Sequence, residues 1–336
     1  MKKAKAYQLD PEALGEAISP ARVVEADLQA AEVKLSALLD SNEPIIAEIC
    51  HYLIDAGGKR LRPTFILLVY RACGGSDAKI EDAIDASIAL ELIHSATLLH
   101  DDIIDAGMLR RGKPSAFARY GASGTLIAGD YLFCRAFELC GRFEERLVRT
   151  AAQACIQLTE GEVMEGRFRH SAGANFNDYI TVITRKTASL FSAGGRVASD
   201  LAGASKQTID SMWNLGNAVG RAFQMVDDIL DIIGPEEKIG KPVGSDLRAG
   251  IPSLPVVLGM TRNPEVRRLF ENDGRMDGAK LEHALNLLRA PELIAEARAM
   301  AAEQVKIARG LLAELPPSEY RDSLTVLIED QIDREV

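Results

Sequence analysis

The feature that most constrains this chain is a group of three carboxylates inside an apolar helical pattern, LLHDDIID at residues 98–105. At about 3.6 residues per turn, Asp101 and Asp105 lie one turn apart on one helix face, with Asp102 beside them. Like charges at that spacing repel, so the helix loses stability unless something positive lies between them. A fold in which this helix face meets a cation would remove that repulsion.

A second acidic stretch, QMVDDILD at residues 224–231, repeats the arrangement later in the chain. Two such clusters facing each other across a cavity would hold hard cations, which take oxygen ligands and, in the case of Mg2+, share them with substrate phosphates. A single DDxxD motif is equally consistent with a solvated acidic face. Two copies, each on an apolar helix, favour the metal site.

Composition and length favour one all-helical domain. Of the 336 residues, 47% are hydrophobic but only 5% are aromatic, and Ala and Leu dominate the segments between Gly and Pro. We predict an all-α, single-domain fold over residues 1–336, with an N-terminal helical extension at 1–44. The segment 236–255 is rich in Pro and Gly, which makes it the best candidate for a lid loop.

Apolar periodicity predicts the longer helices of this domain over residues 80–104, 179–204 and 212–233. The Gly194-Gly195 pair within the second of these suggests a kink or the close approach of another element. The small residues from Gly121 to Gly129 suggest a flexible segment.

Charge and cysteine content exclude some classes of protein. A net charge of −10 argues against a nucleic-acid partner, because phosphate backbones require clustered Lys and Arg. The five cysteines have no CxxC pairing and are typical of reduced core thiols. No signal peptide is apparent at Met1–Asp10, and no window of about 18 apolar residues predicts a membrane span. We therefore expect a cytoplasmic protein.

Two cationic segments suggest local anion binding on this acidic chain. KRLR at 59–62 lies at a predicted helix entrance, where backbone N–H groups also favour phosphate. LRRGK at 109–113 follows the first acidic stretch. Carboxylates that hold a metal and arginines that hold phosphate oxygens together suit a metal–diphosphate complex. The same charges could also simply pair with each other.

Four motifs together closely resemble the trans-polyprenyl diphosphate synthases: GGKRLRP at 57–63, HDDIID with LRRG at 100–112, KT at 186–187 and QMVDDILD at 224–231. The likeness covers the chain from about residue 45 to residue 260. It implies a bundle of antiparallel helices around a deep apolar cavity, the isoprenoid synthase type of fold. It also implies a homodimer, with three Mg2+ ions at the cavity mouth.

The resemblance also implies roles for individual residues. The metal would be bound by Asp101, Asp105 and Asp227, with Asp102, Asp228 and Asp231 supporting these ligands. Isopentenyl diphosphate would be held by Lys59, Arg62, His94 and Arg111. The allylic diphosphate would face Arg110, Lys186, Thr187, Gln224 and Lys241.

The implied reaction is a Mg2+-dependent, head-to-tail condensation of isopentenyl diphosphate with an allylic diphosphate to give an all-trans polyprenyl diphosphate. Loss of the allylic diphosphate leaves a carbocation, which we expect Lys186, Thr187 and Gln224 to stabilise as catalytic residues. Closure of the lid would keep water from this cation.

The chain departs from the family pattern at three positions. Ala106 replaces an acidic residue that many members have after the first motif. Past the second motif, Ser245 and Ile251 stand where the family commonly has an Asp and a Lys. One phosphate-binding cation of the lid is therefore missing, and Lys241 or Arg248 would have to serve instead.

Product length in this family is set by the side chains beneath the first acidic motif. Short-chain members carry aromatic residues where this chain has Ala96 and Thr97. Helical geometry places Thr97, Ile93 and Leu90 on the face of Asp101, whereas Ala96 has a role only by resemblance. The chain looks most like the long-chain, octaprenyl-type branch. We predict a long product, with geranylgeranyl or farnesyl diphosphate as the alternative, and transient membrane contact at most to release it.

Two other functions fit parts of the pattern. A terpene cyclase or head-to-head synthase shares paired acidic helices but has no need of an isopentenyl site, so Lys59, Arg62 and His94 speak against it. A non-catalytic regulatory subunit of a prenyl synthase typically loses acidic residues, and here both clusters are intact.

Overall fold

The structure is a computed structural model that describes residues 20–234, 243–271, 276 and 278–330. Within these residues the fold is all-α, as predicted, and the only strands are the two-residue strands β1 (Leu109–Arg110) and β2 (Lys113–Pro114). The helices are α1 (Glu25–Leu38), α2 (Pro44–Asp55), α3 (Leu61–Ala72), α4 (Ile80–Ile104), α5 (Ala116–Cys140), α6 (Glu145–Phe168), α7 (Phe176–Ile183), α8 (Ser189–Leu201), α9 (Lys206–Ile233), α10 (Ser245–Ala249), α11 (Leu254–Arg262), α12 (Pro264–Phe270), α13 (Gly278–Leu288), α14 (Pro291–Leu312) and α15 (Glu319–Glu329).

Helix α4 runs through the centre of the first half of the fold. It spans the predicted residues 80–104 and packs against α5, α3, α8 and α1. Because neighbours surround it, apolar side chains are buried on most of its faces, and Asp85, Glu91 and Asp102 are buried with them. Asp105 is the residue that follows the last turn of α4, with helical backbone angles. The first acidic stretch thus lies at the end of a helix fixed by the core.

The hydrophobic core has two large clusters. The first combines α1 to α5 and α8 with the amino-terminal half of α9 and with α15. The second combines the carboxyl-terminal half of α9 with α11 to α13 and the start of α14. Helix α9 contributes to both clusters and carries the second acidic stretch. It begins at Lys206, earlier than the predicted Met212, because the side chain of Ser205 caps its first turn by accepting from the Thr208 N–H.

Helices α7 and α8 form one helical run joined by a π-helical turn at Thr184–Ala188. The Gly194-Gly195 pair marks a close approach and not a kink, since a Cβ added at Gly195 would lie 2.3 Å from the Met212 carbonyl oxygen. Gly220 has the same role at the π-turn, where an added Cβ would lie 2.4 Å from the Ala188 Cα. These glycines let α9 pack directly against the run that carries Lys186 and Thr187.

The prediction of a flexible segment at 121–129 was wrong. Helix α5 continues through it, with a break at Gly121 (φ 75°), and the small residues let it pack closely on α4. An added Cβ at Gly129, for example, would lie 2.3 Å from the His100 Nε2.

Helix α1, part of the predicted extension at 1–44, packs on α3 and α4, and Asp27 accepts hydrogen bonds from Arg71. The domain limits themselves stay predictions. Among the described residues, no helix is both long and apolar enough to cross a membrane.

Candidate active site

The first acidic stretch is balanced by cations from three different elements. Buried Asp102 accepts from Arg110 on β1, with its Oδ1 2.9 Å from the Arg110 Nε. Asp105 is paired with Arg169, which follows α6. Burial raises the pKa of Asp101 to about 7, while the positive charges of Lys186 and Arg110 lower it. Each carboxylate of this stretch therefore depends on a cationic side chain nearby.

A tight hairpin places Arg110 against Asp102. Strands β1 and β2 pair antiparallel, with Arg110 opposite Lys113. Arg111 and Gly112 form the turn with φ values of 53° and 72°, the left-handed conformation that a two-residue hairpin turn requires. The predicted cationic turn is thus folded back onto the end of α4.

In the second acidic stretch, Asp228 is held by neutral donors. Asp228 is buried and accepts three hydrogen bonds: from the Tyr179 hydroxyl at 2.8 Å, the Gln224 side-chain amide at 2.8 Å and the Leu254 N–H at 3.0 Å. Burial and the nearby Asp246 raise the pKa of Asp228, and the three donors oppose that rise. The carboxylate is thereby fixed in one orientation.

Asp231 lies one turn further along α9 and is fully buried. The hydroxyl of Ser245 donates to its Oδ1 at 2.6 Å, and the N–H of Asp246 donates to its Oδ2 at 3.1 Å. The N–H of Gly244 donates to its backbone carbonyl at 2.7 Å. Ser245, one of the departures from the family pattern, therefore joins α10 to the second acidic stretch.

Lys186 and Thr187 belong to the π-turn that joins α7 and α8, and this turn packs between α6 and α9. The Lys186 Nζ lies 2.6 Å from a Glu162 oxygen and 2.5 Å from a Glu165 oxygen. The Thr187 hydroxyl donates to the Gln224 side-chain oxygen at 2.7 Å. A lysine with two carboxylate partners stays protonated, and its pKa is raised although burial opposes the rise.

Arg62 and Arg111, two of the residues predicted to hold isopentenyl diphosphate, lie near the start of α3. The guanidinium of Arg62 stacks 4.9 Å from the Phe191 ring centroid, and its buried Nε has no acceptor in the described part of the chain. Arg111 lies against the glycine loop, since a Cβ added at Gly58 would be 3.2 Å from its Nη2. Burial lowers the pKa of His94 well below its usual value, and the positive charge of Arg62, Arg110 and other arginines lowers it further. His94 is therefore neutral.

A pocket of about 170 Å³ lies between the two acidic stretches. Its wall includes Asp105 from the first stretch and Asp228 from the second, with Lys186, Thr187 and Gln224 between them. Phe168, Asp246, Ile251 and Pro252 also border it. The pocket thus brings together residues from three of the four predicted motifs.

The donor set of the pocket fits a hard cation that is shared with a substrate. No three metal-ligating side chains of the described residues lie close enough together to hold a metal ion alone. Mg2+ does not need such a cage, because it is usually bound by one or two carboxylates, waters and substrate phosphates. Carboxylates from both stretches border one pocket, so the residues fit Mg2+ in this shared form.

Several predicted residues lie elsewhere or outside the description. Lys241 lies outside the described residues, as does the start of the lid at 236–242. Arg248 is exposed. Leu90, Ile93 and Ala96 are buried below Asp101, and the hydroxyl of partly buried Thr97 donates to the His94 carbonyl at 2.8 Å. The role of these four residues in product length stays a prediction.

Sequence reasoning missed Glu162, Glu165, Arg169 and Tyr179, all of which contact predicted site residues. A signal existed for the two glutamates, because their spacing of three places them on one face of a helix. Nothing in the sequence indicated that Arg169 would meet Asp105 or that Tyr179 would meet Asp228, since both contacts depend on how α6 and α7 pack.

The fold and the site define a class of helical enzymes, the isoprenoid synthases, and comparison with known proteins narrows it. The polyprenyl synthetase family model matches residues 43–288. A nonaprenyl diphosphate synthase of Mycobacterium tuberculosis is 34% identical over 96% of both chains. A short-chain isoprenyl diphosphate synthase of Methanothermobacter thermautotrophicus is 34% identical over 84% of this chain and 89% of the relative. A crystal structure of a polyprenyl synthase from Caulobacter crescentus, complexed with calcium and isoprenyl diphosphate, superposes with a TM-score of 0.89 at 31% identity and covers 95% of this chain and 98% of that one.

The chain therefore belongs to the polyprenyl synthetase family. The resemblance seen in the motifs and the predicted all-helical fold are both confirmed, and the protein is a trans-prenyltransferase.

Proposed function

We propose that this protein catalyses the Mg2+-dependent, head-to-tail condensation of isopentenyl diphosphate with an allylic diphosphate, giving an all-trans polyprenyl diphosphate. The observation that carries the proposal is the pocket bordered by both acidic stretches and by Lys186, Thr187 and Gln224. The bound calcium and isoprenyl diphosphate of the Caulobacter relative support this use of the site.

In this proposal the acidic stretches hold metal and the cations hold phosphate. Asp101, Asp105 and Asp227 would bind Mg2+, three ions by family resemblance, with Asp102, Asp228 and Asp231 beside them. Bound Mg2+ would neutralise negative charge on the departing diphosphate. Lys59, Arg62, His94 and Arg111 would hold isopentenyl diphosphate. As a neutral imidazole, His94 can donate one ring N–H to a phosphate oxygen without adding charge.

The reaction breaks the allylic carbon–oxygen bond and forms one carbon–carbon bond. The allylic cation left behind is attacked by the double bond of isopentenyl diphosphate, and the proton that is then lost passes to the departing diphosphate. The Thr187 hydroxyl and Gln224 side chain are already joined at 2.7 Å, so their dipoles need little reorganisation to stabilise the cation. Ile251 and Pro252 border the pocket from the lid side, where they exclude water that would trap the cation.

Turnover of purified protein with isopentenyl and farnesyl diphosphates tests the reaction. We expect elongation that requires Mg2+ and is lost in Asp101→Ala and Asp227→Ala variants. Elongation that is unchanged in both variants would defeat the metal assignment. A wild-type protein that binds both substrates without elongating them would instead favour a regulatory subunit.

We further propose a long product. No aromatic side chain stands at positions 96 and 97, and Leu90 packs towards α8, where a Cβ added to Gly194 would lie 3.6 Å from its Cδ1. The relatives do not decide the length, because chains named for nonaprenyl and for short-chain products are equally identical to this one. Sizing the product by chromatography tests the proposal, and a product that stops at fifteen or twenty carbons overturns it in favour of farnesyl or geranylgeranyl diphosphate.

A homodimer in the cytoplasm, with transient membrane contact at most, completes the proposal. Exposed apolar side chains on α5 and α6, among them Leu126, Ile127, Phe137, Ile156 and Val163, offer a surface for a second copy. Light scattering should give twice the chain mass, and Ile127→Glu should lower it towards one chain.

A further inference from the structure

We propose that Arg169 is an additional diphosphate-binding residue. Asp105 pairs with it in the absence of substrate and releases it when substrate and metal bind. The inference rests on the proposed function and deepens it, because it names a cation of the allylic diphosphate site outside the known motifs. It is carried by the Asp105–Arg169 contact, by the Nε of Arg169 that has no acceptor among the described residues, and by the position of Asp105 and Phe168 in the pocket wall.

The geometry places Arg169 at the pocket edge. Its Nη2 is paired with Asp105, a residue of the pocket wall, and it directly follows Phe168, another residue of that wall. The side chain is 25% exposed. Its buried Nε has no acceptor among the described residues. A guanidinium with one N–H unpaired presents a second donor to an incoming anion, and phosphate oxygens accept such donors in pairs.

The charges of the pocket show why such a cation is needed. Four carboxylates border the pocket, those of Asp105, Glu165, Asp228 and Asp246. The one cation among its bordering residues in the described part of the chain is Lys186, which already contacts Glu162 and Glu165. A diphosphate in this pocket is therefore stabilised by a further cation beside Lys186 and the bound Mg2+.

Position 251 explains why Arg169 is the residue that supplies it. Ile251 borders the pocket as an uncharged side chain. The backbone next to Arg169 reaches the same place, because the His170 N–H donates to the Gly250 carbonyl at 2.8 Å. Gly250 also packs on the His170 ring, where an added Cβ would lie 2.4 Å from Cε1. The loop after α6 thus brings a cation next to Ile251, a lid position that carries no charge.

The Asp105–Arg169 pair also gives an order of events. A carboxylate that turns to bind a metal ion gives up part of its attraction for a paired guanidinium, which then exchanges that partner for a phosphate oxygen. Arg169 therefore moves from a protein carboxylate to substrate without being exposed to water alone, which keeps the cost of the exchange low. We expect the contribution of Arg169 to diphosphate binding to appear only in the presence of Mg2+.

Calorimetric binding of inorganic pyrophosphate to the full chain, with and without Mg2+, tests the inference. Loss of a hydrogen-bonded charge pair should weaken Mg2+-dependent binding about 10- to 100-fold in Arg169→Met. Arg169→Lys should retain part of the affinity, because it retains the charge. Arg167→Met, which removes an exposed arginine two positions earlier, is the matched control and should stay within about twofold of wild type.

A second substitution separates substrate binding from a structural role. If Arg169 supplies the charge that position 251 lacks, Ile251→Lys should restore most of the pyrophosphate affinity lost in Arg169→Met, and it should add less in the wild-type background. Equal effects of Ile251→Lys in both backgrounds, or wild-type binding by Arg169→Met, would overturn the inference. Failure of the wild-type protein to bind pyrophosphate with Mg2+ would overturn the proposed function as well, whereas normal elongation by wild type combined with normal binding by Arg169→Met defeats the role of Arg169 alone.

Discussion

The two acidic stretches look alike in sequence but are stabilised in different ways. Asp102 and Asp105 of the first stretch are paired with arginines, one from a hairpin and one from a loop. Asp228 and Asp231 of the second stretch accept hydrogen bonds from neutral groups, including two backbone N–H groups. In the described residues, Asp102 and Asp105 of the first stretch are thus balanced by arginines, whereas Asp228 of the second is fixed by three neutral donors.

This difference suggests a division of labour. A charge pair at a pocket edge can exchange partners, because a phosphate or a metal ion can replace either member. A buried carboxylate with three neutral donors cannot move without leaving those donors unpaired, which costs free energy at each one. We therefore infer that the first stretch rearranges when substrate binds, while the second keeps its geometry and serves as the fixed wall.

The largest expected effect is on turnover, in the variant Lys186→Met. Lys186 lies in the pocket wall and interacts electrostatically with Asp101 of the first stretch. Removal of one preorganised donor typically lowers kcat by about 100- to 1,000-fold. Steady-state kinetics with both diphosphates measures the loss. Arg185→Met is the matched control, because Arg185 is 40% exposed and pairs with the exposed Glu160. Comparable losses in the two variants would mean that general charge, and not the position of Lys186, matters.

The next effect is on stability and compares the two stretches directly. Asp228→Ala leaves the Tyr179 hydroxyl, the Gln224 amide and the Leu254 N–H without their acceptor, so we expect a loss of about 3 kcal/mol in the free energy of unfolding. Asp102→Ala leaves Arg110, whose side chain is 27% exposed and can recruit water, so a smaller loss of about 1 kcal/mol is expected. Urea denaturation measures both, and a larger loss in Asp102→Ala would reverse the proposed division.

Much of the fold was predictable from the sequence, but the different partners of the two acidic stretches were not. Periodicity and glycine positions predicted α4 with its true bounds and most of α9, because the apolar pattern of each helix is long. Three of the four motifs contribute residues to the pocket. The neutral donors of Asp228 come from Tyr179 and Leu254, and the cationic partner of Asp105 is Arg169. These residues are distant in sequence from the carboxylates they contact, so no local pattern predicts the contacts. The helical path of residues 121–129 was missed for a related reason, since small residues there serve packing against α4.

A smaller effect, on the pH dependence of stability, is expected at His94, which lies near the arginines that include Arg110, the partner of Asp102. The pKa of His94 is well below its usual value because the ring is largely removed from water and because the positive charge of nearby arginines, Arg62 first among them, opposes protonation. The unfolded chain therefore binds a proton below about pH 6.5 that the folded protein does not bind, so the free energy of unfolding falls as the pH falls through that value. The slope contributed by one such proton is about 1.4 kcal/mol per pH unit.

Urea denaturation of His94→Gln between pH 7 and pH 5 tests this slope. The variant should lose stability less steeply than wild type as the pH falls. His283→Gln, at an exposed histidine that pairs with Glu265, is the control and should not flatten the curve. Parallel curves for wild type and His94→Gln would show that His94 takes up a proton in the folded state.

The smallest expected effect is on the free energy of unfolding when Ser245, a neutral donor to the second acidic stretch, is substituted. Its hydroxyl donates to the fully buried Asp231 at 2.6 Å, and loss of a hydrogen bond to a charged group costs about 1.5 kcal/mol, less where another donor remains. The Asp246 N–H still donates to Asp231, so Ser245→Ala should cost about 1 kcal/mol, whereas Ser36→Ala on the exposed face of α1 should cost almost nothing. Ser245→Asp, which introduces the residue common in the family, should cost more, because a second carboxylate would face Asp231 in place of a donor. If urea denaturation shows Ser245→Asp to be as stable as wild type, Asp231 does not need a neutral donor at position 245, and the contrast between the two stretches would no longer hold.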